Sequence, residues 1–428
     1  MKYNKNEKLK QITDETLIVG IDVSKDFHVA RAQDFRGIEL GQSITFNNDH
    51  MGLDSFLRWS NNLMKSSDKA ALIVGMEPTG PYWINLARQL KLLNIKVVTV
   101  NPFHVKKSKE LDDNSQTKTD YKDAKIIAQL VKDARFTESS LLEGIYEELR
   151  NYKKAREIII KDLVSCKNQI HNWLVRFFPE YQKVFKSWEA QSFRYILRTY
   201  VFPSVISTHT PEEIYDGMSK KLRKSMGRNK TIKLVNLCKS SIGCKEGHKS
   251  AAFEIRYLLN KYEIVNEEIE LVTEEIRELC SGIQEVKLID AINGLSVDIA
   301  CNLVSELGDI KNYSHPDQLI KMAGLSLIEN SSGKKKGQTT ISKRGRSGLR
   351  KTLYLAVFSL IRHNKGFKAL HTYYTTRSLN QLKGKQSMMA LARKLLRILF
   401  ACVTKNEAFD EKKMLCDIKR PKEFLVTA

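Results

Sequence analysis

Leu17-Ile18-Val19-Gly20-Ile21-Asp22-Val23 is an apolar run interrupted near its end by one acid. A short run of this kind with polar flanks predicts a strand buried on both faces, as found inside a parallel sheet. A second run, Ala71-Leu72-Ile73-Val74-Gly75-Met76, leads straight into Glu77. Between the two, alternating residues predict strands over 27–32 and 38–46 joined by a turn at 34–37, then an amphipathic helix over 51–63. Pro81 can start a helix through Leu93, and 97–100 predicts a fifth strand ending at Asn101-Pro102. The predicted order is three strands, helix, strand, helix, strand, helix. In such an α/β domain Asp22 and Glu77 fall at carboxyl ends of strands, where ligand chemistry collects in an open sheet.

The last helix of that series opens with Lys118-Thr119-Asp120-Tyr121-Lys122-Asp123-Ala124. The spacing puts Asp120 and Asp123 on one helical face. Two anions so placed either diverge into water or share a divalent cation. If the helix closes over the sheet edge, four carboxylates converge, and their pKa values rise unless cations neutralise them. Oxygen donors alone select a hard ion, Mg²⁺ or Mn²⁺. A pair of such ions about 4 Å apart activates and stabilises oxygens in phosphodiester chemistry.

Lysine and arginine number 71 against 49 acidic residues, a net charge of +22 that favours a polyanionic partner, nucleic acid first. No stretch approaches the roughly 18 apolar residues of a membrane span, and the first ten residues lack a hydrophobic signal core. The expectation is a cytoplasmic, nucleoid-associated protein with no membrane partner. The seven cysteines contain no Cys-x-x-Cys pair, which argues against a disulfide framework or zinc ribbon. Cys238, Cys244 and His248 are too loosely spaced to define a metal site, and buried or incidental thiols are expected.

The middle of the chain reads as helix. Leu149, Tyr152, Ile159, Leu163, Cys166, Ile170, Trp173 and Phe177 form one heptad seam, with Arg156 in its gap. Ile255, Leu258, Tyr262, Val265, Ile269, Val272, Ile276, Leu279 and Ile283 form another. The two helices could pair with each other, antiparallel, or with a partner subunit. The insert 178–243 carries a basic run from Lys220 to Lys233, a candidate phosphate-contact surface or a solvated face.

Farther on, 289–308 reads as helix, turn at Asn293-Gly294-Leu295-Ser296, helix. This is a helix-hairpin-helix-like element able to hold a phosphate, or a structural hairpin. Ser331-Ser332-Gly333 is then followed by Lys334, Lys335, Lys336, Lys343, Arg344, Arg346 and Arg350, with no acid among them. A serine beside glycine, followed by dense positive charge, suits a nucleophile that must approach a phosphate. No local His or Asp supplies a Ser-His-Asp triad.

These motifs carry a resemblance. Gly20-Ile21-Asp22-Val23-Ser24-Lys25, Glu77-Pro78-Thr79-Gly80-Pro81-Tyr82, Val100-Asn101-Pro102 and Lys118-Thr119-Asp120-x-x-Asp123-Ala124 resemble the signature of the Piv-type transposases of the insertion-sequence one-ten family. In the C-terminal part the resemblance runs through Ala323-Gly324-Leu325, Ser331-Ser332-Gly333, Ile341-Ser342-Lys343-Arg344-Gly345 and Leu349-Arg350. It implies a ribonuclease H-like (RuvC-like) N-terminal domain with an Asp-Glu-Asp-Asp tetrad at Asp22, Glu77, Asp120 and Asp123. It further implies bound Mg²⁺ (or Mn²⁺), a serine nucleophile at Ser332 with Ser331 as the alternative, and some role of the long helices in dimerisation. The implied partners are donor and target DNA, a bridge RNA and a second copy of the chain, as a dimer or a tetramer.

The expected architecture is α/β plus all-α. It comprises a catalytic domain over 1–140, long coiled-coil helices with the basic insert over 141–284, a helical C-terminal transposase domain over 285–410 and a tail over 411–428. The alternative readings are a RuvC-like nuclease that hydrolyses branched DNA with a metal-bound water, and a nucleic-acid binder without catalysis.

Overall fold

The structure, a computed structural model, describes residues 5–112, 120–138, 141–329 and 339–416. It divides into two compact units, Met1–Leu142 and Glu143–Ala428. The N-terminal unit contains α1 (Lys5–Leu9), β1 (Thr16–Val23), β2 (Phe27–Gln33), β3 (Ile44–Asn47), α2 (His50–Ser66), β4 (Ala71–Met76) and α3 (Tyr82–Leu92). It continues through β5 (Lys96–Val100), α4 (Pro102–Asp112), α5 (Asp120–Lys132) and β6 (Phe136–Glu138). The strands form one sheet in the order β3-β2-β1-β4-β5-β6. The apolar runs behave as their composition requires: β1 lies parallel to β4, β4 lies parallel to β5, and these strands are buried in the middle of the sheet. The alternating segments β2 and β3 add antiparallel on one side, and β6 adds antiparallel on the other.

Two apolar layers cover the sheet. Leu17, Val19, Ile21, Val74 and Met76 pack with Phe56 of α2 and with Leu86 and Leu90 of α3. On the opposite face Ile18, Ile73 and Val98 pack with Ile127, Leu130 and Val131 of α5. On that face glycine is required at residue 20. A Cβ there would overlap the Ala124 carbonyl and lie 3.0 Å from the Ala128 Cβ, so α5 rests directly on the β1 backbone.

Three local readings change. The strand expected over 38–46 shrinks to β3, with a single bridge between Gln33 and Glu39, because Gly41 adopts φ +65° beneath the Leu63 side chain. The turn before it is fixed by Asp34, whose Oδ1 accepts from the amides of Arg36, Gly37 and Ile38 at 2.9 Å each. Helix α4, begun by Pro102, and edge strand β6 are additional; three residues of sheet carry too little periodicity to be read from sequence.

The C-terminal unit is helical, with one short hairpin. Its elements are α6 (Ile145–Phe177), α7 (Gln191–Thr199), α8 (Pro203–Ile206), α9 (Pro211–Lys221), α10 (Arg228–Lys239), α11 (His248–Ser281), α12 (Gln284–Asp290) and α13 (Val297–Leu307). After these come α14 (Pro316–Met322), β7 (Leu327–Ile328), β8 (Thr340–Ile341), α15 (Ser347–His363), α16 (Lys365–Thr376), α17 (Gly384–Lys405) and α18 (Glu411–Cys416). The two apolar seams meet within the chain, as an antiparallel pair. Tyr152 OH donates to Glu275 (3.3 Å), Arg156 Nε to Thr273 Oγ1 (3.1 Å) and Trp173 Nε1 to the Ala251 carbonyl (2.9 Å).

One end of this pair enters an aromatic core built with the 178–243 insert, including Phe178, Phe193 and Phe202. The other end enters the core of α12–α17. Between those cores Ile158, Val164, Ile264 and Leu271 are exposed. The Asn293–Ser296 turn is tied down: its Gly294 and Asn293 carbonyls accept from Ser359 Oγ at 2.7 Å and Asn364 Nδ2 at 3.2 Å.

Gly20→Ala is expected to cost about 2 kcal/mol or more, since both the α5 and β1 backbones must move to admit a methyl group. Urea denaturation followed by far-UV circular dichroism measures this directly. An unchanged midpoint would show that α5 does not rest on β1 in the way described.

Candidate active site

The last parallel pair between β1 and β4 is Ile21 with Met76, so Asp22 and Glu77 stand one residue farther, side by side on strands about 4.8 Å apart. Gly20 and Gly75 are also paired, and both lie beneath α5. Side chains alternate along a strand, so Asp22 and Glu77, each two residues past its glycine, share the α5 face. The first turn of α5 carries Asp120, exposed, and Asp123, buried. A helix N-terminus favours negative charge, which accounts for acids in that turn. All four sequence-predicted carboxylates therefore belong to one neighbourhood at one end of the sheet.

The electrostatics record that convergence. The Asp22 carboxyl is pushed up to about 6, chiefly by burial and then by the charges of Asp123, Asp120 and Glu77. The Lys109 ammonium of α4 pulls the other way. Lys109 is ion-paired with Asp123 Oδ1, a buried oxygen that accepts no formal hydrogen bond among the described residues. Glu77 Oε1 accepts from the Thr79 hydroxyl at 2.6 Å. Carboxylate oxygens are hard donors, the kind that Mg²⁺ or Mn²⁺ takes. Among the described residues no group of three or more His, Cys, Asp or Glu side chains is arranged to hold a metal ion.

Ser331, Ser332, Lys334, Lys335 and Lys336 lie outside the described residues, between β7 and β8, which pair antiparallel through Leu327 with Ile341 and Ile328 with Thr340. At the base of this hairpin two of the quoted motifs touch. Gly324 has φ +66°, and a Cβ there would lie 2.9 Å from the Lys343 carbonyl carbon; Lys343 N donates back to the Gly324 carbonyl at 2.9 Å. Arg350 Nη1 donates to the Ala323 carbonyl at 2.9 Å, and Arg346 Nη1 donates to the Glu306 carbonyl. Arg346 and Arg350 thus brace the hairpin, whereas Lys343 and Arg344 are exposed beside it.

Sequence reasoning missed Lys109, which reaches Asp123 from a helix that was not predicted. It also missed the bracing contacts, although the repeated Gly-x-acid pattern at both strand ends was a usable sign of the α5 approach. Cys238 and His248 have other employment: burial pushes the Cys238 thiol up to about 12, and the His248 ring stacks on Phe202 at 3.9 Å.

A carboxyl raised in the folded state binds its proton more tightly than in the unfolded chain. Asp22 therefore does not penalise folding at a pH below its ordinary value of 3.8, and penalises it fully above about 6. Asp22→Asn should stabilise the metal-free protein at about pH 8 by on the order of 1 kcal/mol, allowing for solvent screening. The gain should fade as the pH is lowered through 6 towards 4, in thermal melts of both proteins with a chelator present. Equal melting curves at high pH would mean that the carboxylates do not repel one another.

Comparison with known proteins agrees with the motifs. Residues 19–179 match a family model described as "Transposase", and residues 286–372 match one described as "Transposase IS116/IS110/IS902 family". A protein of insertion element IS116 from Streptomyces clavuligerus is 23% identical over 301 residues, covering 68% of this chain and 72% of the relative. A protein of insertion element IS110 from Streptomyces coelicolor is 21% identical over 302 residues, covering 70% and 73%. The transposase for insertion sequence element IS1111A from Coxiella burnetii is 26% identical over 152 residues, covering 36% of this chain and 41% of its own. Two family matches in separate parts of the chain, and relatives that align over two thirds of its length, make this protein a homologue of the IS110/IS116-family transposases.

Proposed function

We propose that this chain is the transposase of an insertion sequence, and that it cleaves and exchanges DNA strands with a ribonuclease H-like (RuvC-type) N-terminal domain and a serine on its C-terminal unit. The observation that carries the reading is the gathering of Asp22, Glu77, Asp120 and Asp123 at one sheet end, with Asp22 pushed up to about 6. The strand order, with β2 antiparallel to β1 and the acids at the ends of the parallel strands, supports the domain type.

The four carboxylates would hold Mg²⁺ (or Mn²⁺), which when bound would draw charge from the scissile phosphate and orient it. Lys109, ion-paired with Asp123, would offset part of the negative charge of the four acids. Ser332 would attack phosphorus through Oγ. A serine–phosphate ester forms, the bond to the 3′-oxygen breaks, and the hydroxyl proton ends on the departing 3′-oxygen. Lys343 and Arg344, with Lys334, Lys335 and Lys336, would hold the DNA backbone, while Arg346 and Arg350 keep the base of the hairpin in shape. The resemblance adds a bridge RNA that selects donor and target DNA by base pairing, and action as a dimer or a tetramer; the net charge of +22 accords with two polyanionic partners.

The test is incubation of purified protein with Mg²⁺, its co-purified RNA and labelled DNA, followed by detection of a protein-linked strand. Ser332→Ala should abolish the adduct and lower strand exchange at least about a thousandfold, and Asp120→Asn should do likewise. Cutting by Ser332→Ala without an adduct would make the protein a hydrolytic nuclease. Full function in Asp120→Asn would make it a binder whose acids are incidental.

A further inference from the structure

Behind the acidic edge, on the other face of the sheet, lies a cavity of about 210 Å³. At about 30 Å³ per water it has room for roughly seven, more than a hydration site and less than the ~300 Å³ at which drug-sized pockets begin. Its floor includes His28, Phe46 and Leu86, all buried. His28 is 1% exposed; the Asn48 side chain and the Phe27 backbone stand within polar reach of its ring, yet among the described residues neither nitrogen makes a well-aligned hydrogen bond. An imidazole so buried gains from a well-aligned acceptor and donor, and a ligand in the cavity that supplied them would recover free energy that these neighbours leave unclaimed. Burial also lowers its pKa, which keeps the ring neutral with one donor and one acceptor.

The rim adds carboxamides from two directions. Asn47 and Asn48 follow β3, while Asn85 and Gln89 stand one turn apart on α3, all exposed. No lysine or arginine lines the cavity among the described residues; at its rim stand Asp49, which caps α2 by accepting from Gly52 N, and His50, which is paired with Asp54. Carboxamides that donate and accept in one plane, over an apolar aromatic floor, match the edge and face of a nucleobase. Position matters as well. Asp22 pairs with Val29, and the next pair is Val23 with His28, so the cavity opens one residue past the acids and on the opposite face.

We propose that this cavity receives one unpaired nucleobase of the strand whose backbone passes the acidic edge, with the Asn85 and Gln89 carboxamides and the His28 imidazole reading its edge. The proposal rests on the nucleic-acid reading given above, and shares with base-extruding enzymes the logic of paying for unstacking with pocket contacts. The test uses the full-length protein and single strands carrying 5-iodouracil, one series RNA and one DNA, with ultraviolet crosslinking and peptide mapping.

Adducts are expected on cavity residues, and the series that gives them identifies the strand. Asn85→Leu with Gln89→Leu, both exposed and so tolerated by the fold, should lower that adduct about tenfold. Affinity for the strand should change less than about threefold, because phosphate contacts dominate it. His28→Phe, which removes the ring nitrogens at similar size, should act in the same direction. A strand that binds but crosslinks elsewhere, or an adduct and affinity that fall together in the double variant, overturns the cavity proposal and leaves the transposase reading intact. A protein that binds neither strand overturns both.

Discussion

The contact of α5 with the bare backbone of β1 at Gly20 is the constraint on which the N-terminal unit depends. With no side chain between them, helix and strand lie closer than two elements with ordinary residues at the contact could, and the first turn of the helix is carried to the end of the strand. Gly75 repeats the arrangement on β4, where the Val131 methyl group occupies the space a Cβ would take. The acids two residues beyond each glycine then share a face with Asp123 as a result of backbone spacing, and no loop has to be trained into place. A site built on strand ends and a helix start inherits the stiffness of the sheet.

That stiffness holds like charges together against their repulsion. Burial and three neighbouring carboxylates raise Asp22, and the Lys109 ammonium offsets only part of the effect. A cluster arranged for stability alone would have spread these acids into solvent or paired each with a cation. A perturbed carboxylate such as Asp22, set among other acids at a sheet edge, is a common mark of a site kept at some expense in stability.

Much of this was legible in the sequence because the signals were local. Buried strands ending in Asp22 and Glu77, and a helix starting at Asp120, are apolar runs with an acid at a defined place, and periodicity finds them. The apolar seams of α6 and α11 were equally plain; their pairing within the chain was not, because a seam states that a partner exists without naming it. Lys109 could not be read, since its partner Asp123 comes from another helix and ion pairs leave no periodic trace. Gly41 shortened a strand whose alternation looked sound, a case of backbone conformation overriding pattern. The bracing of the β7–β8 hairpin by Arg346 and Arg350 was hidden for a different reason: in a dense basic stretch every arginine looks like a phosphate ligand, and only tertiary contacts separate those that hold the protein from those that face outward.

The long helices α6 and α11 are clamped at each end into separate cores, yet over their midspan Ile158, Val164, Ile264 and Leu271 face solvent and each helix has mainly the other for company. Regions with few buried contacts are the softest part of a fold. Such a strut concentrates elastic compliance at its centre, so that bending strain is absorbed where no core has to be broken, and the packed ends keep their internal order while the span between them flexes.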